Sequence, residues 1–421
     1  MKKPPPNIID ISQLRVGLYV HLDLGWMDHP FTFNNFKIRD EQQLAQVRGL
    51  NLKSLRYDPL RSDCEPLPCG EGSPATPAAP PTLASDTEMA EERHAFQSLR
   101  FQELQQAIHA CEQKFVQASL TVREIERDLQ HHPARAMQQS QALVDNMVDS
   151  ILTSSDVVLH AMQGGVEQHS HALNVTVLAL TMAKALDMAA QEASWLGQGA
   201  LFHDIGKNAI PDRVTRKTDP LTHAEQSLLE QHCEIGAQTA TEIGMHARIV
   251  TIIRQHHECM DGSGYPARLR QEEIDWLARI VAVANIFENL CNPVSMSCAM
   301  TPYEALAHMF AHIRSQFDAS LLTLLIKSLG VYPPGSIVQL SDGRHGIVMS
   351  VNPSKPLLPF VMLHVPDVPR ETPMLINLGE QSNLRVTKCL RRNQLPREAH
   401  DYLNPSQHIS YYYDQEKPRD H

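Results

Sequence analysis

Hydrophobic positions along the 421-residue chain change period several times, and each change marks an element. Val16, Leu18, Val20, Leu22 and Leu24 alternate with more polar residues, the period of a half-buried strand. Asp40 followed by Gln43 has the form of a capping box opening a short helix to about Leu50. Ser54 to Tyr57 reads as a further strand, so residues 1–62 are expected to form a small α+β module. From about Ala90 the spacing shifts to threes and fours. Phe101, Leu104, Ile108, Cys111, Phe115, Ala118, Val122, Ile125 and Leu129 form one apolar seam. A seam of this length serves either a coiled coil between two chains or a helix packed on its own chain, and the pattern leaves both open. His132-Pro133 ends it, and Pro133 suits the first turn of a next helix carrying Met137, Val144, Val148 and Ile151. Residues 160–330 read as helices throughout, with Thr222 and Glu225 as a second capping box. Beyond Pro333-Pro334, Ser336–Leu340 and Gly346–Val351 flank Ser341-Asp342-Gly343-Arg344, a hairpin pattern. Phe360–Val365 and Met374–Leu378 add strands to a small β module at 331–390. Residues 391–421 are expected to be a polar tail, with Tyr411-Tyr412-Tyr413 its one distinctive feature.

Composition refines this picture. Residues 63–88 hold Pro66, Pro68, Pro74, Pro77, Pro80 and Pro81 among small residues, a stretch that buries too little apolar surface to offset its ordering entropy. It is expected to be a linker, with residues 89–159 a helical connector. The length itself calls for more than one core. A net charge of −11 argues against a nucleic-acid polymer or an anionic membrane surface as main partner. It leaves room for a small anionic substrate, since a metal supplies local positive charge. No apolar run reaches membrane-spanning length, and Met1-Lys2-Lys3 leads into prolines, unlike a signal peptide. The eight scattered cysteines contain no Cys-x-x-Cys pair, which fits a reduced, cytoplasmic chain without structural zinc.

Histidine changes the picture most: nine of the 22 lie between His160 and His257. His203-Asp204 joins an imidazole nitrogen to a carboxylate, a donor pair suited to Mn, Fe or Zn. Either carboxylate oxygen can serve a different ion. Lys207, three residues on, falls on the same helix face, where its ammonium could hold an anion. Glu167 and His171 are likewise neighbours at a spacing of four. His232, the pair His256-His257, and Asn285 on the apolar stretch Ile280–Leu290 complete the candidates. Asp261-Gly-Ser-Gly-Tyr-Pro266 cannot continue a helix and forms a tight loop after the histidine pair.

In that order these residues resemble the HD-GYP domain, a branch of the HD phosphohydrolases. The resemblance covers residues 160–330 and rests on His171-Ala-Leu-Asn-Val175, Leu201-Phe-His-Asp-Ile-Gly-Lys207, Ile210-Pro-Asp212, Leu221-Thr222, His232, His256-His-Glu258, Asp261–Pro266, Arg279-Ile-Val-Ala-Val283 and Phe317-Asp318. The first module, with Gly25-Trp-Met-Asp-His-Pro-Phe31, is similar to the small domain preceding some bacterial members. The resemblance implies an all-α catalytic domain in a multidomain chain, and hydrolysis of cyclic di-GMP to pGpG, then GMP. It implies two or three divalent ions, iron or manganese, held by His171, His203, Asp204, His232, His256 and His257, with Asp204 bridging. Glu167 would be the extra ligand of three-ion members. Lys207 would contact phosphate, and Gly262, Gly264, Tyr265 and Pro266 would form the loop beside the substrate.

The chain also departs from that pattern. Asn285 stands where the family has Asp, Asn174 where it has Arg, and Cys291-Asn-Pro-Val-Ser-Met-Ser297 where it has Thr-Ser-Asp-Arg-Pro-Tyr-Arg. Arg216 and Lys217 remain as candidate phosphate contacts. The alternative reading is a degenerate module that binds metal and nucleotide without turnover and signals to protein partners, or to a second copy through residues 90–129.

Overall fold

The computed structural model describes residues 8–22, 35–50, 52, 54–59, 61–67, 106, 109–129, 131–153, 157–162, 170–351, 357–366, 368–369, 373–380, 383–405 and 409–415. The chain forms two compact units, Met1–Glu91 and Glu92–His421.

In the first unit, β1 (Ile8–Asp10), β2 (Tyr19–His21), β3 (Asn35–Lys37), α1 (Glu41–Arg48) and β4 (Ser54–Tyr57) follow in order. The strands make one antiparallel sheet, ordered β1-β4-β2-β3. The alternation around β2 buries Leu18, Val20 and Leu22 with Ile38, Leu44, Val47 and Leu55; Leu24 lies outside the described residues. Asp40 caps α1, accepting from the Gln43 N–H at 2.7 Å. The Gln43 side chain reaches back to the N–H of Arg39, one residue beyond the cap.

The second unit begins with a helix over residues 109–128, here α2, and continues with α3 (Pro133–Thr153), β5 (Val157–Met162), α4 (Ser170–Ala185) and α5 (Ala190–Phe202). A short 3-10 turn, Ile205–Ala209, leads to α6 (Asp212–Thr215), α7 (His223–Glu230), α8 (His232–Glu242), α9 (Ala247–Gln255), α10 (Trp276–Cys291), α11 (Pro302–Ala311) and α12 (Ala319–Leu329). Thr222 and Glu225 form the expected reciprocal cap on α7. Then come β6 (Ile337–Leu340), β7 (His345–Ser350), β8 (Phe360–Leu363), β9 (Met374–Asn377), β10 (Val386–Leu390), α13 (Arg397–Leu403) and β11 (Ser410–Gln415). The β6–β7 hairpin turns through Gly343 at φ 88°, a backbone region open to glycine at no steric cost.

One expectation needs correction. The stretch read as a polar tail holds α13 and β11, and β11 pairs antiparallel with β5 from Ser410↔Met162 to Gln415↔Val157. The helical region is thus preceded by a strand, and a seven-stranded sheet runs β10-β6-β7-β5-β11 with β8 and β9 off β7. Tyr411, Tyr412 and Tyr413 are all buried in the main helical core. A short tyrosine strand has no local apolar pattern; its partner lies some 250 residues away. The structure also bears on the seam, whose partner the pattern left open. Cys111, Phe115, Ala118, Val122, Ile125 and Leu129 are buried in that same core. Phe115 meets Tyr412 edge-on at 5.9 Å, and the Cys111 thiol faces the Tyr413 carbonyl. The described part of the seam packs on its own chain, against the C-terminal strand. Phe101, Leu104 and Ile108 lie outside the described residues.

Candidate metal centre

The histidines converge because each sits at a helix end. His171 lies in the first turn of α4, His203 and Asp204 follow α5, His232 opens α8, and His256-His257 follow α9. Gly206 permits the closest approach: a Cβ there would lie 2.0 Å from the His232 carbonyl oxygen, so only glycine lets the turn after Asp204 press on α8. Two donor groups result, His171 with His203, and His232 with His256 and His257, and Asp204 belongs to both.

Asp204 turns one oxygen to each group. Its Oδ2 lies 3.5 Å from both His171 Nε2 and His203 Nε2, while Oδ1 lies 3.4 Å from His232 Nε2 and 3.7 Å from His256 Nε2. The Lys207 ammonium donates to Oδ2 at 2.6 Å. Oδ1 is buried and has no hydrogen-bond partner among the described residues.

The outer nitrogens decide which ring atom carries hydrogen. His203, His232 and His256 each place Nδ1 2.6–2.7 Å from a carbonyl three residues back, of Ala200, Leu229 and Ile253. A carbonyl only accepts, so these Nδ1 atoms donate and the neutral rings present Nε2 lone pairs inward. His171 Nδ1 faces the Glu288 carboxylate to the same effect. The consequence is lone pair against lone pair for His232 and His256, with Nε2 atoms 3.3 Å apart, and for His171 and His203, 3.1 Å apart, whenever His171 is neutral. Such contacts, with an orphaned carboxylate oxygen beside them, call for a cation. Donors at these separations can share one first-row ion at about 2.1 Å from each. The residues fit a nitrogen- and oxygen-ligated divalent metal.

Electrostatics agree. Burial holds the His203 and His257 imidazoles well below their ordinary range and pushes His232 down to about 4. Burial opposes the Asp204 charge, yet His203, Lys207 and the other imidazoles outweigh it and keep the carboxyl well below the usual range. His171 differs: burial pushes it down, but the Glu288 carboxylate overrides this and raises it. Four of the ligand-type groups therefore sit in the deprotonated form that metal binding requires.

The glycine loop is held by Glu258, whose buried carboxylate accepts from the N–H groups of Ala267 and Leu269 at 2.6 and 2.8 Å. Gly264 packs so tightly that a Cβ would meet the His257 carbonyl at 2.4 Å. The loop thereby lays the Tyr265 ring on His257, centroids 4.6 Å apart and nearly parallel. Asp261 ties it to Ser263 and Ser315.

The other expected residues are placed as follows. Asn285 is buried on α10, its Oδ1 accepting from Asn289 and its Nδ2 unpartnered among the described residues. Arg216 pairs with Asp212, and Lys217 with Glu225 at 2.6 Å. Glu167 lies outside the described residues. Glu288 was not foreseen; its one signal was its place three residues after Asn285 on a buried helix face. Asn292 was marked only as part of the departing stretch Cys291–Ser297.

Comparison with known proteins points the same way. The HD domain family matches residues 129–321, and the Domain of unknown function (DUF3391) matches residues 8–140. The cyclic di-GMP phosphodiesterase PA4108 of Pseudomonas aeruginosa is 28% identical over 360 residues, 84% of this chain and 84% of its own. The cyclic di-GMP phosphodiesterase response regulator RpfG of Xanthomonas campestris is 35% identical over 150 residues, 35% of this chain and 39% of its own. The 3'3'-cGAMP-specific phosphodiesterase 3 of Vibrio cholerae is 28% identical over 191 residues, 45% of this chain and 41% of its own. The helical unit and its His–Asp centre are those of an HD domain. With the Gly262–Pro266 loop beside them, the chain is an HD-GYP protein carrying an N-terminal domain. None of the described helices is long and apolar enough to cross a membrane.

Proposed function

We propose that the chain hydrolyses cyclic di-GMP to pGpG, and onward to GMP, at the Asp204 centre. The observation that carries this reading is the Asp204 carboxylate, with one oxygen turned to each of two imidazole groups. His171 and His203 would hold one divalent ion, His232, His256 and His257 a second, with iron or manganese the fitting metals for this donor set. Asn285 is assigned to the edge of the first site, and Glu167 to a third ion. When bound, the pair supplies an acidified water and neutralises charge on the non-bridging phosphate oxygens.

The chain's own groups do the rest. Lys207, a third exposed beside Asp204, would hold a phosphate oxygen and stabilise developing charge. The Tyr265 ring shields the His257 side, and Gly262, Gly264 and Pro266 shape that wall. Arg216 and Lys217 would reach phosphate only by leaving Asp212 and Glu225. The test is anaerobic purification, metal analysis, and incubation with cyclic di-GMP and, separately, 3'3'-cGAMP, the products being separated. Cyclic di-GMP is expected to yield pGpG first. Metal-loaded protein that turns over neither dinucleotide would leave the non-catalytic binding module as the function. Turnover of 3'3'-cGAMP alone would move the substrate assignment.

A further inference from the structure

Glu288 is buried, and it serves two clients. Its Oε2 faces His171 Nδ1, while Oε1 accepts from Asn174 Nδ2 at 3.1 Å and Asn292 Nδ2 at 2.9 Å. Both asparagines also hold the C-terminal segment. Asn292 accepts from the Ile409 N–H at 2.9 Å and donates to the Ile409 carbonyl at 2.8 Å. Asn174 accepts from the Tyr411 N–H at 3.1 Å. Both stand where the chain departs from the HD-GYP pattern.

We propose that the segment Ile409–Tyr411 sets the His171 half of the metal centre, with Glu288 as the positioning residue and Asn174 and Asn292 as the links. This rests on the metal-dependent reading above. A side-chain amide has a donor end and an acceptor end, and only its surroundings choose which faces where. Main-chain N–H groups only donate, so Ile409 and Tyr411 oblige both asparagines to turn oxygen toward the tail. Their NH2 ends then face Glu288. Reversed, either amide would present oxygen to a buried carboxylate, at a cost comparable to an unmet charged hydrogen bond. With Oε1 so satisfied, Oε2 takes the His171 Nδ1 hydrogen, and the Nε2 lone pair is left aimed at Asp204 and His203. A carboxylate behind a ligand histidine fixes its tautomer and raises its basicity. The tail is anchored independently by its pairing with β5 and its buried tyrosines, so the links can be altered without removing the strand.

The test is titration of the metal-free full chain with Mn2+, free ion being read by electron paramagnetic resonance, alongside near-ultraviolet circular dichroism. The wild type should show two classes of site. Glu288→Gln and Asn292→Asp should weaken one class by roughly 10- to 100-fold and leave the other unchanged. Ile409→Pro, which removes one tail N–H, should weaken the same class. Glu288→Asp, keeping the charge, should recover part of the loss. Wild-type binding in Asn292→Asp and Ile409→Pro would overturn the proposal. So would equal weakening of both classes together with a lowered unfolding midpoint of the metal-free chain, which is the mark of a merely structural role. A wild type that binds no Mn2+ or Fe2+ at all would instead refute the metal centre itself.

Discussion

The two sides of Asp204 are built differently. The His232–His256–His257 side is local. Two of its rings are pinned by carbonyls three residues back, and the third is covered by Tyr265 from a loop eight residues on. On the other side His203 is pinned in the same local way, by the Ala200 carbonyl, but His171 is held at long range. His171 depends on Glu288, 117 residues away, and Glu288 depends on asparagines held by the last described strand. A local half tolerates change elsewhere in the chain, whereas a long-range half inherits the state of everything it is tied to. Two of the departures from the family pattern, Asn174 and Asn292, belong to this second kind.

The largest expected effect breaks the comparison at its shared point. Asp204→Ala should lose the metal of both halves and lower turnover by roughly a thousandfold or more, at least about 4 kcal/mol of transition-state stabilisation. His171→Ala and His256→Ala should each lose one ion, and elemental analysis of the three purified variants reads the difference. If either histidine variant loses as much metal as Asp204→Ala, the halves do not act separately.

An intermediate effect comes from pH. His232, at about 4, and the lowered His203 and His257 are buried neutral, so between about pH 6.5 and 4 the unfolded chain binds protons that the folded chain does not. Their contribution is present above about pH 6.5 and is lost as pH falls, on the order of 3 kcal/mol for His232. His171, raised by Glu288, works the other way: its contribution is present below about pH 6.5 and lost as pH rises through its folded value. The buried Glu126 carboxyl, raised to about 7, opposes them as His171 does, so three lowered imidazoles stand against two raised groups. Denaturant unfolding of the metal-free chain should therefore show lower stability at pH 5 than at pH 7, and Glu288→Gln should steepen the decline. A flat profile would contradict the burial assigned to these rings.

The smallest effect concerns Asn285. Restoring the carboxylate with Asn285→Asp should tighten the His171-side ion by about tenfold and raise turnover at limiting metal. Tighter metal without faster hydrolysis would point to the substituted stretch after Leu290 as the defect.

Much of this was legible beforehand. The alternation at Leu18, Val20 and Leu22, the caps at Asp40 and Thr222, the β6–β7 hairpin and the His–Asp order all act over a few residues, where period and side-chain chemistry suffice. The seam was legible as helical, but its partner was not: an apolar stripe records that something covers it, and leaves open whether that is a second chain or Tyr412 of the same one. Arg216 and Lys217 read as candidate phosphate contacts, and the fold gives each a carboxylate.

By itself the sequence determined that the chain has separate modules, that its middle is helical, and which residues supply nitrogen and oxygen donors. Short-range sterics and donor chemistry are written residue by residue. Only the tertiary structure decided that Glu288 stands behind His171 and that a tyrosine strand near the C-terminus closes the core and clamps two asparagines. Those contacts join residues more than 100 positions apart, and no local pattern encodes which distant backbone will meet a given side chain.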